Sequence, residues 1–218
     1  MAQIFNQSAN TISRVGILCA LLALSGTGWI AAEVFWSPYT TMVGVPREQP
    51  VPFSHKHHVD GLGIDCRYCH VSAETSRFAG VPPTDTCMTC HSQLWKQAAM
   101  LEPVRQSLAT GKAIRWNRVN DLPDFVYFDH SIHVNKGIGC VSCHGQVDQM
   151  PLTWKQNTLY MKWCLDCHRA PEKEIRPRDE VFDMKWRKPA DQEKAGRELL
   201  TAYHVQTSRL TNCSVCHR

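Results

Sequence analysis

The sequence has no P-loop, no GxGxxG fingerprint and no hydrolase-like triad motif, which leaves nucleotide-driven and simple hydrolytic chemistry without support. Charge is missing from Val15 to Ala32, VGILCALLALSGTGWIAA, and the apolar character runs on through Val34, Phe35 and Trp36. Loops such as GVPREQPVP and FAGVPPTDT offer little regular structure, so a sheet-rich fold is not expected. What the 218 residues do have is cysteine and histidine, eleven of each.

The cysteines are not scattered. Ten of them form five CxxC pairs, Cys66/Cys69, Cys87/Cys90, Cys140/Cys143, Cys164/Cys167 and Cys213/Cys216, and a histidine follows each pair directly. Zinc would want the pairs to combine into four-ligand sites, and five is an odd number. Thioredoxin-like pairs do not recur five times in one chain, and a disulfide framework does not repeat one short spacing. CRYCH, CMTCH, CVSCH, CLDCH and CSVCH read instead as five c-type haem attachment sites. Two thiols three positions apart on a helical turn can add to the two vinyl groups along one porphyrin edge, and the next imidazole then points at the iron. The expected cofactors are five covalently bound haem c, with His70, His91, His144, His168 and His217 as proximal ligands.

Six histidines remain, and four of them sit in a repeat. FSHKHHV at 53–59 recurs as FDHSIHV at 128–134, giving FxHxxHV, with a CxxCH after each copy. Cys66 and Cys140 lie 74 apart, and Cys87 and Cys164 lie 77 apart, so two-haem modules at about 53–91 and 128–168 are duplicated. His204-Val205 ahead of Cys213 suggests a truncated third copy over 204–218. The proposed distal ligands are His55, His58, His130, His133 and His204. Met150 or Met161 could replace His204 and would raise the potential of that haem. His57 has no counterpart and reads as a surface or propionate-contacting residue.

The apolar stretch over 15–36 is long enough to cross a bilayer, with 1–14 as a cytoplasmic N-terminus. Trp29, Trp36 and Tyr39 suit the outer interface, and Arg14 weakly favours an inside N-terminus. A cleaved signal peptide is the alternative, but no convincing small-x-small site follows the stretch, so an uncleaved anchor is favoured. Haem of this type is attached outside the cytoplasmic membrane, so residues 37–218 are expected on the periplasmic side of the inner membrane, held by one helix. The fold class expected is mainly α and irregular: a single transmembrane helix followed by a haem-rich domain with very little sheet. Folding would be coupled to cofactor attachment. The DFVYF run at 124–128 could form a short strand or pack on haem. A charged arm at 170–200, with a helix near 189–203, is either solvated or embraces a partner.

The formal charge of +4 is not a nucleic-acid signal. Ten propionates and five ferric porphyrin cores would bring the oxidised protein to about −1. With two protein ligands on every iron there is no open position for substrate, so the chain reads as an electron wire rather than an enzyme. WNRVNDLPDFVYFDHSIHVNKGIGCVSCHG and MKWCLDCHRAP, with the anchor, the five motifs and the duplicated FxHxxHV, resemble the pentahaem cytochrome subunit of alternative complex III. That resemblance implies an electron-transfer subunit of a respiratory or photosynthetic quinol:electron acceptor oxidoreductase, passing electrons to a periplasmic carrier or an oxidase. It implies a multi-helix quinol-binding subunit, an iron-sulfur subunit, a monohaem cytochrome c and membrane lipid as partners, and no nucleic acid. Mixed bis-His and His/Met ligation is also in keeping with it. The competing reading is a stand-alone membrane-anchored multihaem quinol dehydrogenase feeding a periplasmic reductase. A multihaem reductase with one open iron is a third reading.

Overall fold

Helix α1, Ala9–Trp36, is the longest element of the computed structural model, which describes residues 4–217. At about 1.5 Å per residue its 28 residues reach about 42 Å, more than the hydrocarbon core of a bilayer. In its apolar stretch the hydroxyls of Ser25 and Thr27 donate to the carbonyls of Leu22 and Ala23. None of its side chains is buried by protein. By length and composition it could cross a membrane. Proline at 38 starts the four-residue α2, Pro38–Thr41, because its fixed φ suits a first helical turn and not a helix interior. The chain divides into two compact units, the first ending at Met42 and the second starting at Val43.

The second unit is helical and irregular. Short helices α3 (Cys66–Cys69), α4 (Thr84–His91), α7 (Cys140–His144), α8 (Met161–Arg169) and α10 (Cys213–Cys216) carry the five CxxCH motifs. Between them lie α5 (Glu102–Thr110), α6 (His130–Asn135) and α9 (Gln192–Ala202). Among the described residues there is no strand, only the isolated bridges Val43 with Lys155, Pro46 with Trp154 and Ile138 with Ile175. The segment DFVYF is neither strand nor helix, and its Phe125 ring lies against His217 instead.

The two FxHxxHV copies differ in one respect. Their histidines lie 75 apart whereas the first cysteines that follow lie 74 apart, so the first copy has one residue more before its motif. In the second copy the histidines sit on α6, with Asp129 capping it through the Ile132 amide. In the first copy the turn over Lys56–Gly61 is π-helical, and Leu62 donates to the His57 carbonyl. A π turn holds one extra residue without losing its hydrogen bonds, which is how the insertion is absorbed.

Apolar burial is thin. Val51, Leu101 and Val104 form one cluster against Cys87, Met88, Ile114 and Trp116, so the 92–127 region serves as a wall behind the second motif. A second group, Ile175, Val181 and Met184, packs where the 171–186 segment turns back along α7. A unit of this size needs more apolar burial than that, which prosthetic groups would have to supply. The 170–200 arm is thus neither wholly solvated nor reserved for a partner. Its inner face is built into the chain, with Arg176 donating its backbone amide to Gly137 and Cys140 its own to Val181.

Candidate haem-binding sites

Each FxHxxHV copy brings two imidazoles together around one phenylalanine. Phe53 meets His55 edge-on at 4.9 Å and stacks on His58 at 4.4 Å; Phe128 meets His130 edge-on at 4.7 Å and stacks on His133 at 4.6 Å. Histidines three apart on a helical turn project from the same side. The ring between them sets their relative angle, and the repeat of that angle in both copies makes it a property of the motif.

Each of these histidines then faces a histidine of a CxxCH motif. The ring centroids of His55 and His70 are 6.5 Å apart, those of His58 and His91 6.2 Å, those of His130 and His144 6.4 Å and those of His133 and His168 6.1 Å. Imidazoles bound to opposite sides of one metal ion, each through a nitrogen about 2 Å away, have centroids about 6.3 Å apart. All four separations fit an iron between the rings. Four motifs are paired this way, and within each module the first histidine faces the first motif and the second faces the second.

The ring tautomers are set by neighbours. His58 Nδ1 donates to the Ser54 carbonyl at 2.8 Å and His133 Nδ1 to the matching Asp129 carbonyl at 2.7 Å. His70, His91, His168 and His217 Nδ1 donate to the carbonyls of Gly80, Leu94, Leu210 and Phe125. His130 Nδ1 donates to the Arg77 carbonyl, while His55 and His144 Nδ1 contact Thr153 Oγ1 and the Asn120 amide. A carbonyl can only accept, so in the seven rings held by carbonyls Nδ1 carries the proton and Nε2 keeps its lone pair for a metal. Ser54 and Asp129 lie within the FxHxxHV copies themselves, whereas the other partners come from segments outside the CxxCH and FxHxxHV motifs.

Burial first, and then the facing His70, push His55 down to about 4; burial and then His130 do the same to His144. Both imidazoles are therefore neutral at pH 7, the form that binds metal. The thiols go the other way. Burial pushes Cys140 and Cys167 up to about 11 and Cys143 up to about 12.

The remaining candidates stand apart. His57 is exposed, lies edge-on to His58 at 5.3 Å and stacks on Trp95 at 5.6 Å, and Trp95 in turn stacks on His91. It backs a ligand pair rather than joining one. His217 meets the Phe125 ring at 5.9 Å and, among the described residues, no imidazole faces it. His204 is exposed in a left-handed conformation after α9 and is not brought to His217. Met150 is fully buried, with its carbonyl on the Lys56 amide of the first module. Met161 is exposed at the start of α8, one turn before Cys164.

The motifs also lie near one another in an order different from that of the chain. Cys87 acts electrostatically on Cys69, Cys66 on Cys140, Cys167 on Cys143 and Cys216 on Cys164. Hydrogen bonds follow the same path. Tyr68 reaches Thr89 between the first and second motifs, Thr153 and Arg77 cross between the modules, and His168 reaches Leu210 just before the fifth. The succession is second, first, third, fourth, fifth. Within the first, third and fourth motifs, one cysteine faces one neighbour and the other cysteine faces the next.

The ten motif cysteines are alike in sequence, and Cys90 and Cys213 differ from the rest in their cover. Both are exposed, whereas the other eight are partly covered. Cys90 lies near the end of α4, where its Sγ accepts from the Thr89 hydroxyl at 3.8 Å. The reason lies in the succession: the second and fifth motifs are its two ends, so Cys87 and Cys216 face inward while Cys90 and Cys213 have no further motif to cover them.

Comparison with known proteins supports bound haem c. Residues 126–218 match the family described as "Cytochrome c7 and related cytochrome c". A "Menaquinone reductase, multiheme cytochrome c subunit" from Nitratidesulfovibrio vulgaris is 32% identical over 195 residues, which cover 87% of this chain and 78% of that protein. Haem c bound through CxxCH is thus supported from outside the chain as well as from its geometry. The chain belongs to the multihaem c-type cytochromes, the family of that menaquinone reductase subunit.

Proposed function

We propose that this chain is a five-haem electron relay of a quinone-linked membrane complex, anchored by α1 with its second unit on the periplasmic side. The observation that carries the reading is the set of four facing imidazole pairs joined in one unbroken succession of motifs. Bound haem supplies one-electron iron chemistry at low reorganisation when both axial positions are taken by protein. The chain's own residues do the rest. The cysteines would hold each group covalently, His55/His70, His58/His91, His130/His144 and His133/His168 would hold four irons, and the Nδ1 partners orient the rings. His217 would hold the fifth. Met161 is the better candidate for its other side: it shares a face of α8 with Cys164, whose thiol neighbours Cys216, whereas His204 sits behind α9.

The raised thiols add a step in time. A thiol buried to a pKa of about 11 or 12 is a poor nucleophile, so attachment precedes closure of the fold around Cys140, Cys143 and Cys167.

Two directions of flow are open to such a relay. The motif pattern favours quinol oxidation within an assembly of the alternative complex III kind, beside a multi-helix quinol-binding subunit, an iron-sulfur subunit and a monohaem cytochrome. The name of the relative favours the reverse, delivery of electrons to menaquinone. Purification from native membranes in mild detergent, with mass spectrometry of everything that co-elutes, tests the assembly. Stopped-flow reduction by a menaquinol analogue and oxidation by a menaquinone analogue then test the direction. Recovery of the chain alone, reducible by quinol, would overturn the relay reading in favour of a stand-alone quinol dehydrogenase.

A further inference from the structure

The junction between the first and third motifs, where the two modules meet, is flanked by buried charges of opposite sign. Arg176 is 2% exposed and Asp148 3% exposed. Among the described residues, the buried side-chain atoms without a hydrogen-bond partner are Arg176 Nε and Asp148 Oδ1. Neither residue belongs to a motif, and the ligand scheme uses neither.

Arg176 lies against the third motif. Its guanidinium stacks on Trp186 at 4.3 Å and donates to the carbonyls of Glu180 and Asp183. A Cβ at Gly139, the residue before Cys140, would overlap the guanidinium, and a Cβ at Gly137 would strike the Arg176 carbonyl. The two glycines are what let a cation approach the motif this closely. The carboxylates nearby are Glu174, held by Lys188 and Ser142, with Glu180 and Asp183 on the outer side. They are reached by water, whereas the guanidinium is not, so their field at the motif is screened more strongly than that of Arg176.

The first motif has the opposite surroundings. Its equivalent of Gly139 is Asp65, which caps α3 and binds the exposed Arg67. Asp148 sits on the turn Val147–Gln149, whose neighbour Met150 binds the Lys56 amide of the FSHKHHV segment. The nearest donor to the Asp148 carboxyl is the neutral Gln149 amide, at 3.0 Å. Asp65 and, more weakly, Asp148 act on Cys66, opposed by Arg67, while Arg176 acts on Cys140, opposed by Asp65.

We propose that Arg176 and Asp148 set the reduction potentials on the two sides of the module junction, the third-motif haem above the first-motif haem. A positive charge favours the added electron and a negative charge opposes it. Crossing from the first module to the second is then downhill: one iron is oxidised as the other is reduced, and no proton or atom is transferred. The proposal rests on the reading of these motifs as haem sites.

The test is a potentiometric titration of the full chain, followed in the haem α-band, with haem number per chain checked by intact mass. Arg176→Met should lower one midpoint potential by a tenfold shift in its equilibrium, about 59 mV for one electron, while Arg176→Lys leaves it in place. Asp148→Asn should raise a different midpoint by a shift of the same order. If the Met and Lys variants move alike, or no midpoint moves with five haems present, the proposal is overturned. If Arg176→Met does not accumulate, Asp148→Asn decides alone, and an unmoved set of midpoints overturns the proposal. A wild-type chain lacking haem at Cys66/Cys69 or Cys140/Cys143 would instead overturn the site reading beneath it.

Discussion

The first and second modules use the same ligand geometry with different supports. In both, a phenylalanine separates two histidines that face two successive motifs, and the second histidine donates to the carbonyl four residues before it. Beyond that the copies diverge. The first rests on the Val51, Leu101 and Val104 cluster, the second on the returning 171–186 segment, and each lends the other a hydrogen-bond partner through Thr153 and Arg77. Local sequence carries the ligand pair; the supports come from unrelated segments and are free to differ. The duplication therefore yields two sites of like coordination in unlike electrostatic surroundings.

The largest effect should come from the attachment residues. Cys66→Ala and Cys140→Ala should each leave one haem incompletely added, with degradation of the chain, and haem-stained gels with mass spectrometry would measure it. Equal tolerance of both replacements would break the comparison, because Cys140 is the more deeply held. Next, His55→Ala and His130→Ala should each turn one haem high-spin without releasing it, as seen by electron paramagnetic resonance. Retention of five low-spin haems in either variant removes that residue from the ligand set. His204→Ala should leave the spin state alone, and Met161→Ala should change one haem.

Smaller effects separate the matched positions before the two motifs. Gly139→Ala should destabilise the second module by about 1–3 kcal/mol, because the new methyl group meets the Arg176 guanidinium. Asp65→Ala should cost about 1 kcal/mol through the lost cap on α3. Denaturant titration gives the order, and a reversed order would mean that the close approach at Gly139 is not maintained in solution. His57→Ala should be the mildest change, with all haems low-spin and stability nearly unaltered, since that ring only backs the His58/His91 pair.

Much of this was legible in the chain. The helical, strand-poor character followed from short Pro- and Gly-punctuated segments and from the motifs themselves, and α9 falls within the expected 189–203 stretch. His55, His58, His130 and His133 were read from the repeat as distal ligands without assignment to particular motifs, and His57 was set apart because it has no counterpart; which motif histidine each one faces came from the structure. His204 was chosen because His204-Val205 precedes Cys213 as His58-Val59 precedes Cys66, but the positions that match Phe53 and His55 are Leu199 and Thr201, so the device that aims the ring is missing. The unequal cover of the thiols was not legible either, because Cys87 and Cys90 belong to the same motif and differ only in which side the neighbouring motif lies. The DFVYF run alternated as a strand might, but no neighbouring strand exists among the described residues to pair with it, and its Phe125 is used against His217.

By itself the sequence determined the five CxxCH motifs and the pairing device of FxHxxHV. These are geometries closed within a single helical turn, where spacing alone dictates which groups meet. Only the tertiary structure decided the order in which the motifs follow one another in space, the distant ring partners such as Arg77 for His130, Thr153 for His55 and Leu210 for His168, and the burial of Arg176 beside Gly139. Each of these depends on segments tens of residues apart, whose meeting is governed by packing around the shared interior and leaves no periodic trace along the chain.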